Sequence, residues 1–494
     1  MHVTMEGRGR RVAYVVLAAG ALFLIPFFVK VVAWPEMVTP PYFVSRGAAL
    51  YDEVVIPYTP LLILLIAALG KAFGFSSLLF RCVIALSLAA TGGLVAASIL
   101  RRRSTTGRAA LVFAVGLPLT AAGTFYLEGP ALWPDPFLAP LLLAAGLVLE
   151  EGDRIGDPSS IRNGGLLLGL AILVKQTSAW ALVAALVWAC FASRRRSPRN
   201  GLRLLSWAAG PYAVFVALWG LVYRTTAHVR WTLLFPLAGH AAEIGARPDA
   251  ADLKEVVAPL LVLPAGFLIA LALRRRPWTS PLGFLAIGAA GMVWPRWGLL
   301  HLAGATGLLA VQAARTLRAL GIGVRRMRRR EATRLAALSF VAGAGLLAIH
   351  VAVGGIGAWA LEEGDVGGGV RFWDTPEVEA ATRLVRDRVG EGGTFLNHSL
   401  ASDTVYVRSG TRPPGDLYVN TRFWFFLNKD DLDARLVRAL RKEPDALVLF
   451  SELTGVDRDQ TIRTELYRFL KSETDEVERL PDGLSWRRVR RASR

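Results

Sequence analysis

Apolar stretches recur from residue 12 to about residue 360, each close to the roughly 20 residues that a helix needs to cross a bilayer core, and short arginine runs separate them. Inside hydrocarbon every backbone N–H and C=O must be satisfied within the protein, so such a chain is driven toward a bundle of helices. The composition agrees, since 53% of the 494 residues are hydrophobic. A formal charge of +18 could point to nucleic acid, but its distribution does not. The arginines cluster beside the apolar stretches: at 8, 10 and 11, at 101–103, at 194–196, at 274–276 and within 325–330. That is the pattern of cytoplasmic loops in a membrane protein, and it excludes a nucleic-acid binder. The two cysteines, Cys82 and Cys190, both fall inside expected spans, so neither a structural disulfide nor a CxxC site is expected.

Placing every arginine-rich loop on one side threads about eleven transmembrane helices, N-terminus in and C-terminus out. The first span, 12–33, reads as a retained anchor. A first outer loop at 34–76 follows, with an interfacial helix over 60–74. Spans two to four cover 77–100, 109–125 and 136–150. Residues 163–193 are broken at Lys175-Gln176-Thr177 and read as two short helices, the fifth and sixth spans, meeting at the outer face. The seventh to eleventh spans cover 203–222, 256–273, 281–294, 299–318 and 334–358. Residues 1–360 thus form a membrane domain, and 361–494 a small extracytoplasmic α/β domain. In this tail Thr375-Pro376-Glu377 reads as a helix start and Gly390 as its stop. Short apolar runs at 394–397, 405–407 and 446–450 read as strands, and 430–441 and 459–471 as helices.

Ionisable residues at the edge of a bilayer are costly and are functional candidates. The outer face collects Glu36, Asp52, Glu53, Arg81, Glu128, Asp135, Lys175, Arg296 and His301 from six regions of the chain. A carboxylate there can take the proton from an attacking hydroxyl, and cations can offset the charge of a departing phosphate. Blander readings stand beside these. Arg81 and Lys175 could be snorkelling anchors, His301 a packing histidine, and Asp52 with Glu53 a solvated turn.

In order along the chain stand Glu36 ahead of Arg46-Gly47, Leu50-Tyr-Asp52, Pro60-Leu-Leu62, Phe73-Gly74 before Arg81, and Trp133-Pro-Asp-Pro136. Gly169-Leu-Ala-Ile-Leu-Val-Lys-Gln-Thr177 and Pro295-Arg296 with His301 follow. This series resembles the multi-span GT-C glycosyltransferases, in particular the family-39 type that includes protein O-mannosyltransferases and lipid A aminoarabinose transferases. The resemblance implies an inverting transfer from a polyprenyl-phosphate-linked sugar to a glycan, lipid or protein acceptor, at the outer face of the inner (plasma) membrane. It implies Glu36 as general base, and Lys175, Arg296 and His301 as holders of the donor phosphate. Asp135 would position the acceptor or a cation, with Arg81 and Gln176 as further substrate-binding candidates. The family more commonly carries Asp, often in an Asp-Glu pair, where Glu36 stands without an acidic neighbour. Asp52 is therefore kept as a second candidate base. No cofactor is called for, and participation of a divalent cation stays open because no ligand cluster is evident.

Other functions make different demands. A nucleotide-sugar enzyme would need a soluble cytoplasmic domain, and Gly354-Gly-Ile-Gly357 lies at a span end rather than in a strand–turn–helix unit. A transporter or flippase of lipid-linked glycans would carry ionisable residues near mid-bilayer and a pseudo-repeat between halves, and the sequence has neither. A non-catalytic cell-envelope assembly protein would tolerate replacement of Glu36 without change in cellular glycans.

Overall fold

The structure, a computed structural model, describes residues 5–101, 106–125, 130–194, 196–223, 227–234, 280–293, 299–324, 369–399, 402–419, 432–451, 464–480 and 484–490. The expected eighth and eleventh spans lie outside the described residues, as do Glu128 and Arg296.

Helix α1 (Met5–Phe28) packs along α4 (Ser77–Leu100), and the hairpin of α7 (Pro134–Ile155) and α8 (Ser159–Val174) packs beside them. Between α4 and α7 run α5 (Thr106–Leu111) and α6 (Leu117–Phe125), joined by a π-helical turn. On the far side, α8 lies against α10 (Pro198–Tyr223), and α9 (Ala179–Val187) against α11 (Pro281–Ala290). Helix α12 (Thr306–Val324) returns to α4. Among the described residues three helical stretches are long and apolar enough to cross a bilayer: Gly9–Phe28, Ser77–Leu100 and Pro198–Val222. Their outward faces expose Val16, Leu17, Leu86, Leu202 and Leu221, as expected of surfaces whose solvent is lipid.

Gly169, which opens the 169–177 motif, has a packing function. A Cβ on Gly169 would stand 2.3 Å from the Ala208 carbonyl oxygen, so glycine there lets α8 and α10 approach backbone to backbone.

One end of the bundle is capped by short strands and by the tail. Strand β1 (Val31–Ala33) is parallel to both β3 (Ala131–Leu132) and β4 (Val370–Arg371), while β2 (Val54–Val55) pairs in parallel with β6 (Tyr418–Val419). The first span was expected to stay helical to residue 33. Instead the chain leaves the helix at Phe28, two residues past Pro26, and its β-branched Val31 and Val32 enter the sheet. Two short helices, α2 (Thr39–Ser45) and α3 (Pro60–Phe73), complete the first loop.

The tail forms a second sheet in the order β5-β7-β9-β8. Strands β5 (Phe395–His398) and β7 (Leu447–Ser451) are parallel, and β8 (Thr474–Arg479) and β9 (Leu484–Val489) are antiparallel. Helices α13 (Pro376–Val389), α14 (Thr404–Ser409), α15 (Leu432–Lys442) and α16 (Glu465–Ser472) surround it. Phe395, Phe450, Phe469 and Trp486 fill its core. The run 405–407, expected as a strand, lies inside α14. Three apolar residues fit either period, and the Gly410 stop after Ser409 closes a helical turn instead.

Candidate functional site

The site begins with two copies of one local motif. The parallel β1–β3 ladder pairs Val32 with Ala131 and Ala33 with Leu132. Continued one step, the register sets Trp34-Pro35-Glu36 alongside Trp133-Pro134-Asp135. In both, proline opens a helical turn where its missing N–H costs nothing: a 3₁₀ turn at Pro35–Met37 and α7 at Pro134. Each carboxylate then sits in a first turn, where unpaired backbone N–H groups favour negative charge. The Trp34 and Trp133 rings lie 5.5 Å apart, and Tyr58 packs edge-on to Trp133 at 5.4 Å.

Two further segments reach Asp135. Helix α8 stops at Val174, and Lys175 is extended, with φ −158° and ψ 127°, before a 3₁₀ turn at Gln176–Ser178. This break turns the Lys175 side chain across the helix end. Its Nζ donates to Asp135 Oδ2 at 2.5 Å and lies 2.8 Å from His301 Nδ1. His301 Nδ1 is also 3.5 Å from Asp135 Oδ1. His301 rides on the 3₁₀ segment Leu299–Ala305, which packs on α7. Gly304 allows that packing, because a Cβ there would meet the Met292 side chain at 2.7 Å and the Asp135 carbonyl oxygen at 3.3 Å. The cluster is dry: Asp135 is 0% exposed, Lys175 6% and His301 7%. Asp135 thus faces two nitrogen groups, the Lys175 ammonium on Oδ2 and the His301 ring near Oδ1.

Glu36 is 3% exposed, on the turn beside this cluster. It faces the tail. The Tyr418 phenol is held well above its ordinary pKa by burial first, and then by the Asp403 and Glu36 carboxylates. Tyr418 donates to Asp403 Oδ2 at 2.9 Å, and its backbone N–H donates to the Glu53 carbonyl at 2.7 Å. Neither Tyr418 nor Asp403 was singled out in the sequence. Each stands some 370–380 residues beyond Glu36 in a polar tail, with no motif around it.

The remaining candidates occupy other positions. Gln176 Nε2 donates to the Pro57 carbonyl at 2.9 Å and so ties the first loop to the α8–α9 break. Arg81 donates to the carbonyls of Pro26 and Val29, which fastens the end of α1 to the start of α4. Asp52 is 56% exposed at its side chain and lies 3.8 Å from Arg435 of the tail. Arg435 also donates to the Asp52 carbonyl at 2.8 Å. Glu53 accepts from the Ala49 N–H at 2.7 Å and closes the turn.

No protein-family profile matches the chain, and no curated protein does. Among solved structures, the chain superimposes on ArnT from Cupriavidus metallidurans, crystallised with undecaprenyl phosphate. The TM-score is 0.55 at 14% identity, over 96% of this chain and 97% of that one. The fold is that of ArnT. An oligosaccharyltransferase from Archaeoglobus fulgidus, in complex with zinc and sulfate, aligns with a TM-score of 0.47 at 13% identity, over 96% of this chain and 73% of the other. The likeness is one of fold, and it spans the bundle and the tail together.

Within this ArnT-like fold Glu36, Asp135, Lys175 and His301 share one end of the bundle. Among the described residues no group of three or more His, Cys, Asp or Glu side chains is placed to hold a metal ion. The donor set around Asp135 does not suit a divalent cation, because the Lys175 ammonium already sits on Oδ2.

Proposed function

We propose that this chain is a membrane glycosyltransferase that moves a sugar from a polyprenyl-phosphate-linked donor to an acceptor hydroxyl, with inversion, at the extracytoplasmic face of the inner (plasma) membrane. The observation that carries the reading is the buried Asp135–Lys175–His301 cluster with Glu36 on the neighbouring turn. The ArnT structure holds undecaprenyl phosphate, which supports a lipid-phosphate donor for a chain of the same fold.

In this scheme Glu36 accepts the proton of the acceptor hydroxyl as its oxygen attacks the anomeric carbon. The bond from that carbon to the phosphate oxygen breaks on the opposite face, and its electron pair leaves with the lipid phosphate. Lys175 and His301, with Arg296, offset the charge gathering on that phosphate. Asp135 orients the Lys175 ammonium, and the dry surroundings strengthen each of these interactions. The burial of Glu36 and the exposure of Asp52 favour Glu36 as the base. No step is routed through a divalent cation. The acceptor is a glycan, lipid or protein hydroxyl, and Tyr418 of the tail stands near Glu36.

The test is label transfer in membranes supplied with radiolabelled polyprenyl-phosphate sugars. Glu36→Gln should fold normally and lose transfer by about 10²- to 10⁴-fold, the usual worth of a general base. Wild-type transfer rates in Glu36→Gln would remove it from the chemistry.

A further inference from the structure

A second site lies at the seam between the first loop and the tail, lined by different residues from the buried cluster. A cleft of about 740 Å³ opens between the end of α2, the α3–α4 turn and the α13–α14 side of the tail. Four cations from four separate chain segments line it: Arg46, Lys71, Arg386 and Arg408, against the single carboxylate of Glu391. Two of the four are already engaged within the tail. Arg386 donates to the Arg408 carbonyl at 2.6 Å, and Arg408 lies 3.8 Å from Glu379. Arg46 and Lys71 are exposed and, among the described residues, lie within ion-pair distance of no carboxylate. Arg46 is nevertheless held in place, its guanidinium 4.7 Å from the centre of the Tyr42 ring.

The floor of the cleft is the α3–α4 turn, which includes Gly74, Phe75, Ser76 and Ser77. On either side of that turn Phe73 is 73% exposed and Leu78 62%. Large apolar side chains so exposed beside the start of a bilayer-length helix mark where the protein surface meets lipid. Ser77 Oγ donates to Asp374 Oδ2 at 2.7 Å and Trp373 packs on Phe80 at 5.1 Å, so the tail wall of the cleft is fastened to the same helix start. The result is a basic, hydroxyl-lined opening next to exposed apolar side chains at the start of a bilayer-length helix.

We propose that this cleft binds the anionic headgroup of a bilayer-embedded lipid, with Arg46 and Lys71 on its phosphate and the acyl chains over Phe73 and Leu78. The proposal does not depend on the transfer reaction assigned to Glu36. Its test is native mass spectrometry of the full chain in detergent, titrated with dioctanoyl phosphatidylglycerol, dioctanoyl phosphatidylcholine or inorganic phosphate. Phosphatidylglycerol should bind more tightly than phosphatidylcholine by about tenfold, and less so as salt rises. Arg46→Gln with Lys71→Gln should remove about tenfold of that affinity. Lys71→Glu alone, at an exposed position, should abolish the preference. Glu36→Gln should bind phosphatidylglycerol as wild type does, whether or not transfer is lost. Equal affinity for the two lipids, or unchanged binding in the Arg46/Lys71 variants, would overturn the proposal. So would displacement by equimolar inorganic phosphate, which would make this a site for a free anion, or loss of lipid binding in Glu36→Gln, which would move the lipid to the buried cluster.

Discussion

Helix α7 carries an acidic group near each end, and the two ends are built differently. At its start Asp135 is enclosed with Lys175 and His301, and every partner is almost fully buried. Fifteen residues on, about 22 Å along the axis, Glu150 accepts from both guanidinium nitrogens of Arg315 at 2.7 Å and from Arg101 at 3.0 Å. Arg101 also pairs with Glu151, and Arg11 donates to the Arg101 carbonyl at 3.3 Å, so this end links α1, α4, α7 and α12. Its paired side chains keep 20–34% of their surface. The half-wet end uses overlapping, solvated ion pairs of the kind that hold helices together. The dry end spends stability to keep a lysine and a carboxylate at fixed positions, as the proposed transfer requires.

The contrast can be tested by removing one partner at each end. Lys175→Ala leaves the Asp135 carboxylate buried without its cation, and should cost about 3–5 kcal/mol in thermal unfolding of the detergent-solubilised protein. It should also raise the apparent donor requirement more than the acceptor requirement. A change confined to the acceptor requirement would show that Lys175 does not hold the phosphate.

A buried histidine in the tail provides a case controlled by pH. His398 stacks on Phe450 at 5.1 Å, and burial pushes its pKa down to about 3 from 6.5. The unfolded chain therefore binds this proton more readily than the folded one. The stability is complete above about pH 6.5 and declines as pH falls toward 3, by about 1.4 kcal/mol per unit. His398→Phe should flatten that slope in acid unfolding followed by circular dichroism. An unchanged slope would place the acid sensitivity elsewhere.

Smaller effects belong to the solvated pairs. Glu150→Gln should lower stability by about 1 kcal/mol, with transfer intact, because Arg101 retains Glu151. A loss as large as that of Lys175→Ala would erase the distinction between the two ends. Asp52→Asn removes only an exposed partner of Arg435 and should cost about 0.5 kcal/mol or less. Loss of transfer in Asp52→Asn, with Glu36→Gln unaffected, would exchange their proposed roles.

Much of this could be read from the residues in order. The helix expected over 77–100 is α4, the break expected at Lys175-Gln176-Thr177 ends α8, and Thr375-Pro376 opens a helix in which Thr375 Oγ1 accepts from the Val378 N–H. These features are local: apolar length, a cap, a proline. Glu36, Asp135, Lys175 and His301 could be named as candidates because a charge at a bilayer edge is conspicuous wherever it stands.

What no local rule supplied was their pairing. Arg81 and Gln176 fasten backbone carbonyls of distant segments, partners that no motif around them announces. Asp52, as acidic as Glu36, stands in solvent beside Arg435. The sequence by itself determined a helical membrane bundle with a polar edge and an α/β tail, because hydrophobic length and charge asymmetry act residue by residue. Only the tertiary structure decided which carboxylate lies beside Lys175 and which faces Tyr418. A parallel ladder of two residue pairs, between segments a hundred residues apart, sets that proximity, and a slip of one residue would turn every side chain in it to the other face.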